Sequence, residues 1–279
     1  MPTFSAPHPV PIVVDVPFGN LHLVASERDD VVVTVLPSGT KSGSVRAAEE
    51  IQVGRDGDAV TITYPGSWKQ FVLPFAAGTA DITVELPLGS DVRGKTGSLY
   101  AEGALGAVDM TLSAGNARLE EVGRLGLKVS AGSVEVRRAV GATDVKVSAG
   151  SVRIEEAAGD GTVRASSGTT TLGTVTGTLE VHGAHGDIAV DRVRGTLTVK
   201  SAHAGIRVGS LESGSATLTT SYGSIDVGVP EGTAAFLDIA SEHGAVRNQL
   251  TPTDGPIDDE ATAEIHASTG YGDVVVRRP

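Results

Sequence analysis

Three histidines and two tyrosines, His185, His203, Tyr222, His243 and Tyr271, stand 18, 19, 21 and 28 residues apart in a chain of 279. Intervals this close to one another mark a single phase of a repeat, which brings the five rings to one corner of stacked coils. Imidazoles and phenols at a shared corner have three uses. They can fill a wide corner by stacking on one another, or line a strip that holds a ligand. Alternatively the imidazoles of His185, His203 and His243 can share a metal ion, with Glu242, Asp187 or Asp273 as oxygen ligands, although nothing in the spacing completes a tetrahedral set. Earlier coils carry Ala114, Ala131, Ala149 and Ser167 at this phase. The inward position beside it is polar where the rings occur: Gly183, Ser201, Thr220 and Ser241. That asymmetry within the repeat marks the later coils as the candidate site.

Other chemistries are weaker. Residues 89–96, Gly-Ser-Asp-Val-Arg-Gly-Lys-Thr, match the phosphate-loop pattern in full, but the pattern works only when a helix follows and turns its N-terminus to the phosphates. Here Gly97-Ser-Leu follows in register with the repeat, which predicts strand and no nucleotide site. Glycoside cleavage needs two carboxyl groups within roughly 5 to 10 Å of each other, whereas Asp187, Asp191 and Asp226 fall in three different columns and Glu155-Glu156 sits alone at a corner. No G-x-S-x-G or H-E-x-x-H segment occurs. Lys128, Lys146, Arg164, His182 and Lys200 stack as an outward cationic file. Asp109, Asp144, Glu180 and Asp238 lie two residues earlier on the same face, so the expected result is a solvated surface that neutralises itself.

The element that must position all of these is a repeat. Lys-Val-Ser-Ala-Gly-Ser-Val-Glu-Val at residues 128–136 returns almost unchanged 18 residues later, at 146–154. Anchored on the residue after Gly-Ser, one column reads Leu99, Ala117, Val134, Val152, Thr170, Ile188, Ile206, Ile225, Val246 and Val274. Leu119 to Val227 repeat two residues later, which is strand spacing. A second column, seven residues earlier, runs Val92, Met110, Leu127, Val145, Val163, Val181, Val199, Leu218 and Ile239. A third, Val122, Ala139, Ala157, Val175, Val193 and Leu211, precedes corner glycines Gly141, Gly159, Gly177 and Gly195, expected to use positive φ. No coil buries its inward stripe alone, so stacking supplies the core. The fold expected is all-β: a parallel β-solenoid of about ten 18-residue coils with three short sides each, right-handed by the general preference of parallel crossovers.

The first coil is expected at Gly19-Asn-Leu-His-Leu23, interrupted by a hairpin-rich cap. Asp56-Gly57 is its turn signal, a helical turn is expected within 37–50, and Trp68 in the loop 66–71 packs the cap. Residues 1–90 then form the first coil and N-terminal cap, and 91–279 one continuous solenoid domain. An acidic excursion, 251–260, precedes the final coil. The composition agrees: 40% hydrophobic, 4% aromatic, 36 glycines and no cysteine. A net charge of −12 argues against nucleic acid as partner. Neither a secretory leader nor a membrane segment is read from the sequence, and a cytoplasmic location is expected.

The recurrent Ser-Ala-Gly-Ser-Val and Thr-Gly-Tyr-Gly-Asp-Val units, the opening Met-Pro-Thr-Phe and the closing Val-Val-Val-Arg-Arg resemble the bacterial β-strand-repeat family of "putative adhesins", or toastrack domains, in its actinobacterial form. The resemblance spans essentially the whole chain. It implies the solenoid fold, no catalytic residues and no cofactor, and a scaffold or sensor role, some relatives belonging to cell-envelope stress systems. The expected function is a non-enzymatic, adhesin-like binding or assembly scaffold for a protein or cell-envelope component. The alternative is a metal- or sugar-dependent enzyme or ligand-binding protein using the His/Tyr corner.

Overall fold

The computed structural model describes residues 1–65, 78–251, 255 and 261–279. Trp68 and most of the acidic excursion therefore lie outside the described residues. The chain divides into two compact units, Met1–Arg137 and Arg138–Pro279. Strands alternate inward apolar residues with outward polar ones, and among the described residues a single α-helix occurs.

In the first unit the strands are β1 (Thr3–Ser5), β2 (Ile12–Ser26), β3 (Asp30–Pro37), β4 (Gln52–Asp56), β5 (Ala59–Thr63), β6 (Ala80–Pro87), β7 (Val92–Ala114) and β8 (Ala117–Ala131), with β9 (Val134–Ala139) at the boundary; helix α1 is Ser42–Glu50. The first coil is β2, as the Gly-Asn-Leu-His-Leu match implies: Leu21 faces Leu99 of β7 in parallel register. The other side of β2 is covered by chain that comes later, β5 along Ile12–Asp15 and β6 along Asn20–Ser26. Ile12, Val14, Leu21 and Leu23 are fully buried between these layers. The expected hairpins cap this end, with β4 antiparallel to β5, and β3 antiparallel to both β6 and β1. The helical turn is a nine-residue helix, α1, whose Ser44 and Ala47 are buried.

In the second unit β10 (Thr143–Ala149), β12 (Gly161–Ser167), β14 (Thr178–His185), β16 (Thr196–His203) and β18 (Gly214–Tyr222) pair in sequence, all parallel. So do β11 (Val152–Ala157), β13 (Thr170–Val175), β15 (Ile188–Val193), β17 (Ile206–Leu211) and β19 (Ile225–Gly228). The anchor column is a register column: Val152 faces Thr170, then Ile188, Ile206 and Ile225. Each coil has two strands where three sides were expected. The third apolar column ends the second strand, after two consecutive non-inward residues such as Glu155 and Glu156 before Ala157, where the inward–outward alternation breaks.

Two expectations are corrected here. The four corner glycines expected to use positive φ, Gly141, Gly159, Gly177 and Gly195, do not. At Gly177 the constraint is stacking distance: a Cβ would lie 2.5 Å from the Gly159 carbonyl oxygen. Left-handed backbone recurs at the opposite corner, at Gly168 (φ 121°), Gly186 (113°) and Gly223 (148°), and reaches the third-column corner at Gly214 (90°), the residue stacked on Gly195. The coils also do not all stack in chain order. After β19 come β20 (Thr233–Ser241) and β21 (Val246–Asn248), but the final pair, β22 (Ala261–Tyr271) and β23 (Val274–Arg277), inserts between them and the preceding coil. Ile225 therefore faces Val274, which faces Val246. Ala267, which the second column as read omitted, sits between Leu218 and Ile239.

Candidate functional site

The five rings lie at the C-terminal ends of β14, β16, β18 and β22 and just past β20. Parallel pairing places His185 beside His203, His203 beside Tyr222 and Tyr222 beside Tyr271. Consecutive ring centroids are 5.2, 4.9 and 4.9 Å apart with interplanar angles of 8°, 10° and 4°. His243 closes the row on Tyr271 at 4.5 Å and 29°. The order is thus His–His–Tyr–Tyr–His; insertion of β22 puts Tyr271 before His243, where the chain order has them reversed.

Why the backbone holds a continuous stack follows from the inward residues beneath it. Gly183, Ser201, Thr220, Thr269 and Ser241 form one register column. Thr220 donates to the Ala204 carbonyl at 3.1 Å, Thr269 to Gly223 at 2.9 Å and Ser241 to Gly272 at 2.8 Å. Each bond ties one coil to the corner of the next, close to where a ring departs. Among the column's hydroxyls Ser201 breaks the pattern: its Oγ is buried without a partner among the described residues. In the earlier coils the same position is Val147 or Ala165, both buried, and the corner carries Ala149 or Ser167.

The rings are not packed into the corner. Tyr222 and Tyr271 are each 50% exposed, and the three histidines are exposed as well. Because the π faces cover one another, the row presents ring edges to solvent, with phenol hydroxyls and imidazole nitrogens about one coil apart. Parallel planes send their lone pairs in parallel directions, and His243 is separated from His203 by both tyrosines. Asp187 and Asp273 accept backbone N–H bonds from Gly205 (3.1 Å) and Ala245 (2.9 Å), and Asp273 also pairs with Arg247 at 3.2 Å. Among the described residues no group of three or more His, Asp and Glu side chains is arranged to hold a metal ion.

The remaining motifs take the places their register predicts. The phosphate-loop match runs into strand β7, with Thr96 buried and donating to the Gly19 carbonyl at 3.1 Å. Lys146, Arg164, His182 and Lys200 are register partners. Arg164 pairs with Asp144 at 3.4 Å, and both His182 and Lys200 with Glu180 at 3.0 and 3.5 Å, a face of exposed pairs worth little individually.

Two ring arrangements were not read from the sequence. His22 stacks on Tyr100 at 4.9 Å and 19° between β2 and β7. On the outward face of β20 and β22, His266 lies 3.2 Å from Asp238 and 2.9 Å from Glu264, with Phe236 6.2 Å from its ring. Hydrogen bonds to Glu264 first and Asp238 second raise the His266 pKa above the ordinary imidazole value. The signal was available: Asp238 and His266 both stand eight residues before an anchor, Val246 and Val274. No described helix is long and apolar enough to cross a membrane.

Comparison with curated proteins gives no match. Among solved structures, the chain is similar to a "putative adhesin" from Parabacteroides merdae (10% identity, TM-score 0.44, covering 100% of this chain and 95% of that one). It is similar also to a "putative adhesin" from Bacteroides fragilis (12%, TM-score 0.36, 100% and 95%) and to a "putative cell adhesion protein" from Clostridium sporogenes (10%, TM-score 0.23, 99% and 94%). The sequence pattern of one family matches residues 11–277, nearly the full length and all of the repeat columns, and the chain belongs to that family, Toastrack DUF4097.

Proposed function

We propose that the chain is a non-enzymatic, adhesin-like binding or assembly scaffold whose contact strip is the ring row His185–His203–Tyr222–Tyr271–His243, with a protein or cell-envelope component as partner. The observation that supports this is the exposure of the row. Tyrosine edges combine apolar area with a hydroxyl and cost little conformational entropy to order, which is why they recur as anchors at interfaces. A row held by strand pairing is preorganised, so little ordering is left to oppose binding. Stacked imidazoles with parallel planes suit an extended partner better than an ion. A link to envelope stress, which the family resemblance implies, belongs to the same reading.

The test compares the chain with a Tyr222→Ala/Tyr271→Ala variant, both immobilised, in retaining the host's cell-envelope fraction. Loss of retention with an unchanged melting curve is the expected result. Equal retention by both proteins would remove the row as the contact strip.

A further inference from the structure

On the late coils, at the opposite ends of the strands from the ring row, strand pairing builds a second feature. Thr178, Thr196, Ser215, Glu264 and Phe236 are successive register partners across β14, β16, β18, β22 and β20. Thr196, Ser215, Glu264 and Phe236 line a groove of about 710 Å³, with Thr262 and Ala234 at its side and Gly255 of the acidic excursion also in its wall. At about 4.8 Å per strand, the file from Thr196 to Phe236 is roughly 14 Å long, a span for a short oligomer.

The chemistry of the lining is specific. Phe236 is 62% exposed on an outward position, where the equivalent residues are hydroxyls or a carboxylate. An apolar ring left in water on a polar sheet face offers a flat platform without serving the core. Beside it stand hydroxyls that both donate and accept, and a carboxylate that accepts. His266 bonds Glu264 through Oε1, which holds that side chain at the groove, and among the described residues its second oxygen has no recorded hydrogen bond. An aromatic platform flanked by hydroxyls and a carboxylate matches a pyranose, which has an apolar C–H face and a rim of hydroxyl groups. Charge narrows the class: Glu264 lines the site and the whole chain carries −12, so a polyanion is repelled.

We propose that this groove binds an oligosaccharide free of anionic groups, with a sugar ring stacked on Phe236 and its hydroxyls bonded to Glu264, Ser215 and Thr196. The site is separate from the ring row and stands or falls independently of it.

Isothermal titration with chitotetraose, cellotetraose and mannotetraose, and with tetragalacturonate as the anionic control, tests the proposal. Binding of at least one neutral probe is expected, with no binding of tetragalacturonate. Phe236→Ala should weaken the affinity by about tenfold or more, and Phe236→Trp should retain it. Because the side chain is mostly exposed, the melting curve of either variant should match the parent. Tyr222→Ala should leave the affinity unchanged, which separates this site from the ring row. Absence of binding by all neutral probes, equal affinity for tetragalacturonate, or an unaltered affinity in Phe236→Ala would overturn the proposal.

Discussion

Single residues in the late coils show how much a small polar group can decide. Ser201 occupies the column in which Thr220, Thr269 and Ser241 each bond a neighbouring corner carbonyl, yet its own hydroxyl is buried and unpaired among the described residues. A buried hydroxyl without a partner carries its desolvation cost uncompensated. Ser201→Ala should therefore stabilise the chain by about 1 kcal/mol, whereas Thr220→Val should cost about the same; chemical denaturation of both variants checks the opposite signs. His266 makes a pH-dependent contribution. Its pKa is raised by Glu264 and Asp238, so the stability it adds is fully present below the ordinary imidazole value of about 6.5. It is lost as pH rises through the higher value of the folded state. The melting-temperature gap between the parent and His266→Gln should shrink toward zero on the alkaline side. A gap that widens with pH would contradict the sign.

At the scale of elements, chain order and spatial order part company at one coil in each unit. β2 lies between β7 and the later β5 and β6, and β22 lies between β18 and the earlier β20. For β22 this means pairing on both edges, while β20 pairs with β22 alone among the described strands. Ile265 and Ala267 of β22 are buried, whereas Leu237 and Ile239 of β20 are only partly covered. Amide exchange reports local opening, which is easiest where fewer buried contacts resist it. The C-terminal β22 and β23 should accordingly exchange more slowly than β20 and β21, although chain ends usually exchange first. Faster exchange in β22 would place the final coil at the end of the stack after all. The ring row depends on the same insertion, because only a β22 beside β18 sets Tyr271 against Tyr222.

For the molecule as a whole, stability is a sum of similar coils, each burying its inward stripe against its neighbours. Val152 is 1% exposed and faces Thr170 in the next coil. A carboxylate there would be unpaired in a dry column, at a cost of roughly 3 kcal/mol or more. Val152→Asp should lose the β circular-dichroism signal at a much lower temperature than the parent; a melt within a few degrees of the parent would refute the column.

Much of this was legible in the chain alone. The 18-residue period, the inward columns, the first coil at Leu21 and the shared phase of the five rings are consequences of strand alternation and parallel stacking. Those forces act between equivalent positions, so a periodic sequence displays them. The period could not show the number of strands per coil, because a break in alternation within one strand, as at Glu155-Glu156, and a separate strand leave the same apolar spacing. Nor could it show why Gly177 is glycine, since close approach of stacked backbones and a left-handed φ demand the same residue. Above all, the sequence lists coils in the order of synthesis, while pairing energy depends on which edges meet. The insertion of β22, with Tyr271 next to Tyr222 and His266 next to Asp238, joins residues 49 and 28 positions apart through edges that no local signal labels. Only the folded sheet, by choosing which edge the last coil would fill, decided that order.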